Sequence, residues 1–252
     1  MRLYHYTKLE NITSIIQKDK LSFWLTDYRE LDDPTEGEYI MKIQRQYYPD
    51  WTHNSIERYV LSLCKRYDSL PMWKEYANNA TGVVLEIETE NIKPSSFHIL
   101  LSCDYDQEIV KERSEVIKKK KEKYETPDVK QSFKDYCQRY PRLDPKELLF
   151  FFEKSDILDA CVELIRVKHP CYSYEEEYRY IIKAWNDSFH YCFKNGKLRS
   201  CYEFNIENNA LTKLYVGPNN PKEIIYEVKK YLQFIGYKDT EVQMVDLPYR
   251  NI

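Results

Sequence analysis

The sequence predicts an α+β fold carrying a helical insertion, and three observations lead to it. Short alternating, aromatic-rich segments gather toward both ends of the chain. A glycine-free stretch dominated by Glu, Lys and Leu separates them, from about residue 106 to 166. A strand–helix–strand pattern then closes the C-terminal part. No internal repeat and no linker composition interrupts the chain. The 252 residues therefore read as a single domain, 1–252, with 106–166 inserted into it.

Each element has a local reason. Residues 2–6 alternate and are aromatic, which predicts a strand. In KLENITSIIQK (8–18), Leu9, Ile12, Ile15 and Ile16 share one helical face, with Thr7 as the N-cap. LSFWLT (21–26) predicts a second strand, DYRELDDPTE (27–36) a polar loop broken at Pro34, and 36–47 a helix. ERYVLSLC (57–64) is a strand pattern. PMWKEYAN (71–78) is a short helix with Pro71 at its first position. Gly82 opens the strand GVVLEIE, and 97–105 predicts another. The insertion predicts two or three helices, broken near Thr126-Pro127 and near Pro141 and Pro145. EEYRYIIKAW (176–185) alternates. FHYCFKNGKLRSCYEF (189–204) predicts a hairpin turning at Asn195-Gly196, the preferred type I′ pair. LTKLYVG (211–217) is a strand, 221–236 an amphipathic helix ended by Gly236, and 241–247 a last strand.

Composition removes several function classes. The chain has 5 glycines, and the closest two, Gly217 and Gly236, lie 19 positions apart. That spacing excludes the dinucleotide fingerprint, the phosphate-binding P-loop and the nucleophile elbow, all of which need glycines within about six residues. A bound nucleotide would have to be held by side chains, and 24 tyrosines supply flat faces and hydroxyls. The net charge of −3 argues against a general nucleic-acid coat protein. The absence of an apolar run of about 18 residues predicts no membrane span. The first residues lack the apolar core of a secretion signal, and the odd count of 7 cysteines contains no C-x-x-C pair. These features predict reduced thiols and a cytoplasmic location.

Metal and cysteine chemistry have weak signals. His169/Cys171 and His190/Cys192 are close pairs, with Cys161 and Cys201 nearby, but none has the spacing of structural zinc. No local signature marks a nucleophilic cysteine. The run Lys118–Lys121 is either a solvated helix face or a contact with RNA, DNA or an acidic partner.

Three clusters are more informative. LYHYT sets His5 and Thr7 on one face of a strand with Tyr6 between them. In YEEEYRY (174–180), strand alternation would align Glu175, Glu177 and Arg179, either as an ion-pair row or as a ligand site. Met72, Trp73 and Tyr76 lie on a short helix, where they serve core packing or a ligand platform. The acidic turn Asp32-Asp33-Pro34-Thr35-Glu36 could cap the following helix.

Taken in order, LYHYT (3–7), DDPTE (32–36), SLCKRYDSLPMWKEYANNATGVVLEI (62–87), KHPCYSYEEEYRYI (168–181) and LTKLYVGP (211–218) resemble the bacterial family catalogued as domain of unknown function 2971. Asp32 stands where that family commonly has Asn. An early-strand histidine, a middle aromatic segment and a late-strand glutamate also resemble the H-Y-E arrangement of ADP-ribosyltransferase-like folds, in which NAD lies between two small sheets. This resemblance implies a split of small antiparallel or mixed sheets. It implies that His5, with Tyr6 and Thr7 beside it, holds an NAD ribose, and that Tyr76 or Trp73 stacks on a ring. Glu177 would be the catalytic carboxylate, Glu175 its runner-up, and Arg179 a phosphate clamp or a support for Glu177. NAD would be the substrate, and a protein, a nucleic acid or water would accept ADP-ribose. Such proteins often act as toxins or in phage defence. Two other readings stay open: a non-enzymatic nucleotide- or partner-binding module of the same fold, and a metal-dependent hydrolase or nuclease using Asp32, Asp33 and Glu36 with Glu177 and Mg²⁺. The H-Y-E reading carries a geometric condition. His5 and Glu177 must reach one reacting centre, which side chains on opposite faces of a sheet cannot do.

Overall fold

The computed structural model describes residues 1–31, 58–93, 98–106, 108–183, 190–194 and 196–248. The expected helix at 36–47 and the acidic turn 32–36 lie outside them. The chain forms two compact units, Met1–Glu30 with Glu57–Cys103 and Cys171–Ile252, and Leu31–Ile56 with Asp104–Pro170.

The first unit is built on a sheet of mixed connectivity. Its strands are β1 (Arg2–Thr7), β2 (Ile16–Gln17), β3 (Lys20–Asp27), β4 (Arg58–Cys64), β5 (Val83–Glu88), β6 (His98–Ser102), β7 (Glu177–Lys183), β8 (His190–Lys194), β9 (Lys197–Glu207), β10 (Leu211–Val216) and β11 (Glu241–Met244). The main path runs β11-β10-β5-β1-β4-β3-β9-β8, with β7 on β4, β6 on β7 and β2 on β3. All pairings are antiparallel except β10 with β11, where helix α6 (Ile224–Phe234) makes the crossover that a parallel pair needs. The closing strand–helix–strand unit predicted from sequence is therefore present. Gly236 follows α6 with φ +101°, the left-handed conformation expected just past a helix end.

One strand organises the sheet. β4 pairs along its whole length with β7 on one edge. Its other edge is shared: Thr26 and Asp27 of β3 oppose Val60 and Tyr59, while Tyr4 of β1 opposes Cys64. β1 and β3 thus fork apart at the middle of β4.

The predicted helix at 8–18 is corrected. Leu9–Asn11 is a 3-10 turn, α1 is only Ile12–Ile15, and Ile16 already pairs with Leu21 in a hairpin. β-Branched Ile16, fully buried, favours the strand. Helix α2 (Leu70–Glu75) is shorter than the predicted 71–78. It ends because Asn78, Asn79 and Ala80 all take left-handed φ, +49°, +53° and +60°. Such a run is unusual for residues other than glycine. It is held by the Ala80 amide on the Trp73 carbonyl at 2.9 Å, the Asn79 amide on the Lys74 carbonyl at 3.1 Å, and Asn219 Nδ2 on the Asn79 carbonyl at 2.7 Å. Two of the scarce glycines admit close backbone approaches around this turn. A Cβ at Gly217 would sit 2.1 Å from the Ala80 carbonyl oxygen, and one at Gly82 would sit 2.3 Å from that of Thr7.

The second unit contains helices α3 (Glu108–Glu125), α4 (Pro127–Arg139) and α5 (Pro145–Val162), separated where Pro127 and Pro145 predicted breaks. Ile117, Tyr124, Cys137, Leu164, Ile165 and Val167 are buried in it. Among the described residues no helix is long and apolar enough to cross a membrane.

Candidate functional site

The sheet of the first unit separates two cores, and the candidate site belongs to the second. Residues directly opposite each other in an antiparallel pair project to the same side. His5 opposes Leu85, which opposes Leu214. Leu3, Leu63, Leu85 and Leu214 belong to the large aliphatic core, together with Leu21, Phe23 and Ile206. On the other side, Tyr4 opposes Cys64 and Glu86, Cys64 opposes Glu177, and Ser62 opposes Arg179. Tyr6, Cys64, Met72, Trp73, Val84 and Tyr215 pack there, with Tyr4, Tyr67, Tyr76 and Tyr174 at the margin.

Register therefore sets His5 on the aliphatic face and Glu177 on the tyrosine face, and the condition for a shared centre is not met. His5 fills the fork instead. Its ring donates from Nδ1 to the Ser62 carbonyl at 3.2 Å and packs edge-on against Phe23, with centroids 5.1 Å apart. Thr7 is buried, and its hydroxyl oxygen accepts from Asn11 Nδ2 at 2.9 Å, a local bond within the turn that follows β1. Tyr6 lies on the tyrosine face but is also buried. Its hydroxyl donates to the Arg66 carbonyl at 2.8 Å and accepts the Ser69 amide at 3.3 Å, and burial holds its phenol protonated far above the usual range. Trp73 is 0% exposed, donates its indole N–H to the Tyr67 carbonyl at 2.7 Å and meets Tyr6 edge-on. It presents no face to a ligand.

Tyr76 and Glu175, by contrast, meet. Tyr76 caps the C-terminal end of α2, and its hydroxyl donates to Glu175 Oε1 at 3.0 Å. One residue earlier on each element, the Tyr174 hydroxyl donates to Glu75 Oε2 at 2.9 Å. This reciprocal pair of bonds ties α2 to the 3-10 turn Pro170–Glu175 across 99 residues of sequence. The same turn corrects a sequence expectation. Strand β7 begins at Glu177, so Glu175 is not aligned with Glu177 by strand alternation. Glu176 between them takes φ +43°, a strained conformation for a glutamate. That kink lets both flanking carboxylates be buried, at 4% and 3% exposure. Glu177 is held bidentately by Arg179, Nε to Oε1 at 2.8 Å and Nη2 to Oε2 at 3.0 Å.

Sequence reasoning missed a third carboxylate. Glu86, on β5, is buried on the tyrosine face and accepts from Tyr4 at 3.3 Å, Tyr215 at 3.1 Å and Thr212 at 2.8 Å. Desolvation and the Glu86 charge push the Tyr4 phenol up to about 12. Tyr67 stacks on Tyr215 at 4.2 Å. The signal available in GVVLEIE was an acid, Glu86, set between Leu85 and Ile87 in a strand otherwise reading as core. Among the described residues, no group of three His, Cys, Asp or Glu side chains is arranged to hold a metal ion.

Residues 72–180 match the model of a family described as protein of unknown function (DUF2971), which supports the family resemblance carried by the motifs. The match spans Trp73, Tyr76, Glu86, Glu175, Glu177 and Arg179 and does not reach His5. No curated protein and no solved structure matches the chain.

Proposed function

We propose that the tyrosine face of the first unit binds NAD and that the protein cleaves its nicotinamide–ribose bond, passing ADP-ribose to a macromolecule or to water. The observation that carries this reading is the Tyr76–Glu175 hydrogen bond, which joins an aromatic ring and a buried carboxylate from segments 99 residues apart. The fork of the sheet at β4 supports the split-sheet architecture that the resemblance implies.

The chemistry suits this pairing. When the bond from ribose C1′ to the nicotinamide ring nitrogen breaks, the electron pair leaves with nicotinamide and C1′ becomes oxocarbenium-like. A carboxylate fixed beside C1′ stabilises that charge, and a water or acceptor hydroxyl then adds and loses its proton. We assign the reaction to Glu175 because Tyr76 brings an aromatic ring directly onto it, and we assign Glu177 to the bidentate ion pair with Arg179. Arg179 then acts as the support that holds Glu177. His5 stays outside the reaction. The same bidentate pair favours a second reading, a binding module without turnover, in which Glu177 and Arg179 serve only to shape the site.

Incubation with NAD separates these readings. Nicotinamide release that is lost in Glu175→Gln supports cleavage. An NAD-dependent thermal shift without release supports the binding module. Neither release nor a shift would remove NAD from the account.

A further inference from the structure

We infer that Glu176 is a positioning residue, whose left-handed backbone and not its carboxylate delivers Glu175 to Tyr76. The inference rests on the NAD reading for its purpose, though not for its geometry. In the pairing of β4 with β7, Leu63 opposes Tyr178 and Cys64 opposes Glu177. Carried on, that register would set Lys65 opposite Glu176 and then Arg66 opposite Glu175. The first of these steps is half made. The Lys65 amide donates to the Glu176 carbonyl at 3.1 Å, while the Glu176 amide turns back to the Ser173 carbonyl at 3.3 Å. The second step is not made. The Arg66 carbonyl accepts the Tyr6 hydroxyl at 2.8 Å, and its guanidinium holds Asp68 at 2.8 and 3.1 Å. Glu175 goes to Tyr76 instead. The ladder thus stops at the one residue of this segment with positive φ, +43°.

The two courses open to the chain have different products. An extended Glu176 would avoid a conformation that is costly for any residue bearing a Cβ, and it would add a strand pair. Its product would be Glu175 opposite the exposed Arg66, drawn away from Tyr76. The left-handed course gives up that pair and places the carboxylate, 4% exposed, on the Tyr76 hydroxyl. What holds the costly course is backbone: the Lys65 and Ser173 bonds to Glu176, and the Cys103 amide on the Glu177 carbonyl at 2.7 Å. The Glu176 carboxylate is only partly buried and accepts no hydrogen bond among the described residues. Strain of this kind persists where the surroundings over-determine it, and it gathers at functional sites. Here it sits between the carboxylate assigned to the reaction and the one paired with Arg179.

The test compares the full native chain with Glu176→Gly, Glu176→Gln and Glu176→Val, each checked for folding by its far-ultraviolet spectrum. Glycine enters the left-handed well freely, glutamine removes only the charge, and valine, branched at Cβ, resists that well. Nicotinamide release from NAD should persist in Glu176→Gly and Glu176→Gln. It should fall about 100-fold in Glu176→Val, the loss expected when a reacting group is displaced by about 1 Å. A second readout needs no NAD. In urea unfolding, Tyr76→Phe and Glu175→Ala should be non-additive in the native and Glu176→Gly backgrounds and additive in Glu176→Val. Release and coupling both retained in Glu176→Val overturn the inference. Loss of release in Glu176→Gly and Glu176→Gln with the coupling intact overturns it equally, because the carboxylate would then be the working group. A native chain that releases no nicotinamide removes the NAD reading alone, and the urea comparison then decides the inference by itself. Should Glu176→Val not fold, release in Glu176→Gly and Glu176→Gln decides between backbone and carboxylate.

Discussion

The two faces of one sheet differ in kind. One face of the first unit is aliphatic, with Leu3, Leu21, Leu63, Leu85 and Leu214 all at 5% exposure or less. The other is built from tyrosines, and five of their hydroxyls bond to named partners: Tyr4 and Tyr215 on Glu86, Tyr6 on Arg66, Tyr76 on Glu175, Tyr174 on Glu75. Apolar packing is non-directional and tolerates rearrangement, whereas a buried polar network holds only if every member is satisfied. The aliphatic face thus explains why the sheet is stable. The tyrosine face, where carboxylates are buried, is the one proposed above to bind NAD.

Substitutions can break or sharpen this contrast. The largest losses of stability are expected on truncation in either core, for different reasons. Leu85→Ala leaves a cavity and should cost about 2–5 kcal/mol by denaturant unfolding. Glu177→Ala leaves the Arg179 guanidinium buried beside a vacated site and should cost about 3–5 kcal/mol. If Glu177→Ala proves nearly neutral, the buried pair is not the anchor of its face. Gly217→Ala should cost about 1–3 kcal/mol or more, because its Cβ meets the Ala80 backbone at 2.1 Å and cannot rotate away. Normal stability there would mean that the left-handed turn relaxes freely.

Smaller effects separate function from fold. Tyr76→Phe removes one hydrogen bond to a carboxylate and should cost only about 1–2 kcal/mol. NAD turnover in it should fall much further than its stability, and parallel losses would mark the bond as structural. The smallest effect is a pH dependence on the aliphatic side. His98 packs edge-on against Tyr180 and Phe204, each with centroids 5.6 Å apart, and burial lowers its affinity for a proton below the usual 6.5. The unfolded chain takes up that proton first, so stability is present above pH 6.5 and declines as pH falls below it. The melting temperature should drop more between pH 7.5 and 5.5 in the native protein than in His98→Gln. Equal slopes would show that His98 is not the group responsible.

The sequence made these contrasts legible unevenly. Periodicity located β1, β3, β4, β5, β7, β10 and α6, because each alternates or repeats cleanly over several residues. It failed at 8–18, where helical spacing was satisfied by isoleucines whose branching prefers a strand. At the site, residue types were readable but sides were not. Alternation says that His5 and Thr7 share a face, yet which face Glu177 shares depends on the pairing of Cys64 with both Tyr4 and Glu177. Only long-range register supplies that. Alternation also mispredicted Glu175, because the left-handed Glu176 interrupts the strand and nothing local in EEE announces it. Tyr76 and Glu175 were both named as candidates, but their hydrogen bond needed the tertiary fold.

The most direct test of the account is a three-way comparison of nicotinamide release from NAD by the native chain, Glu175→Gln and His5→Gln, each matched for melting temperature. The account predicts that Glu175→Gln loses release while His5→Gln retains it, since His5 lies on the aliphatic face and Glu175 is bonded to Tyr76 at the margin of the tyrosine cluster. Loss of release in His5→Gln with retention in Glu175→Gln would contradict it and return the reaction to the other side of the sheet.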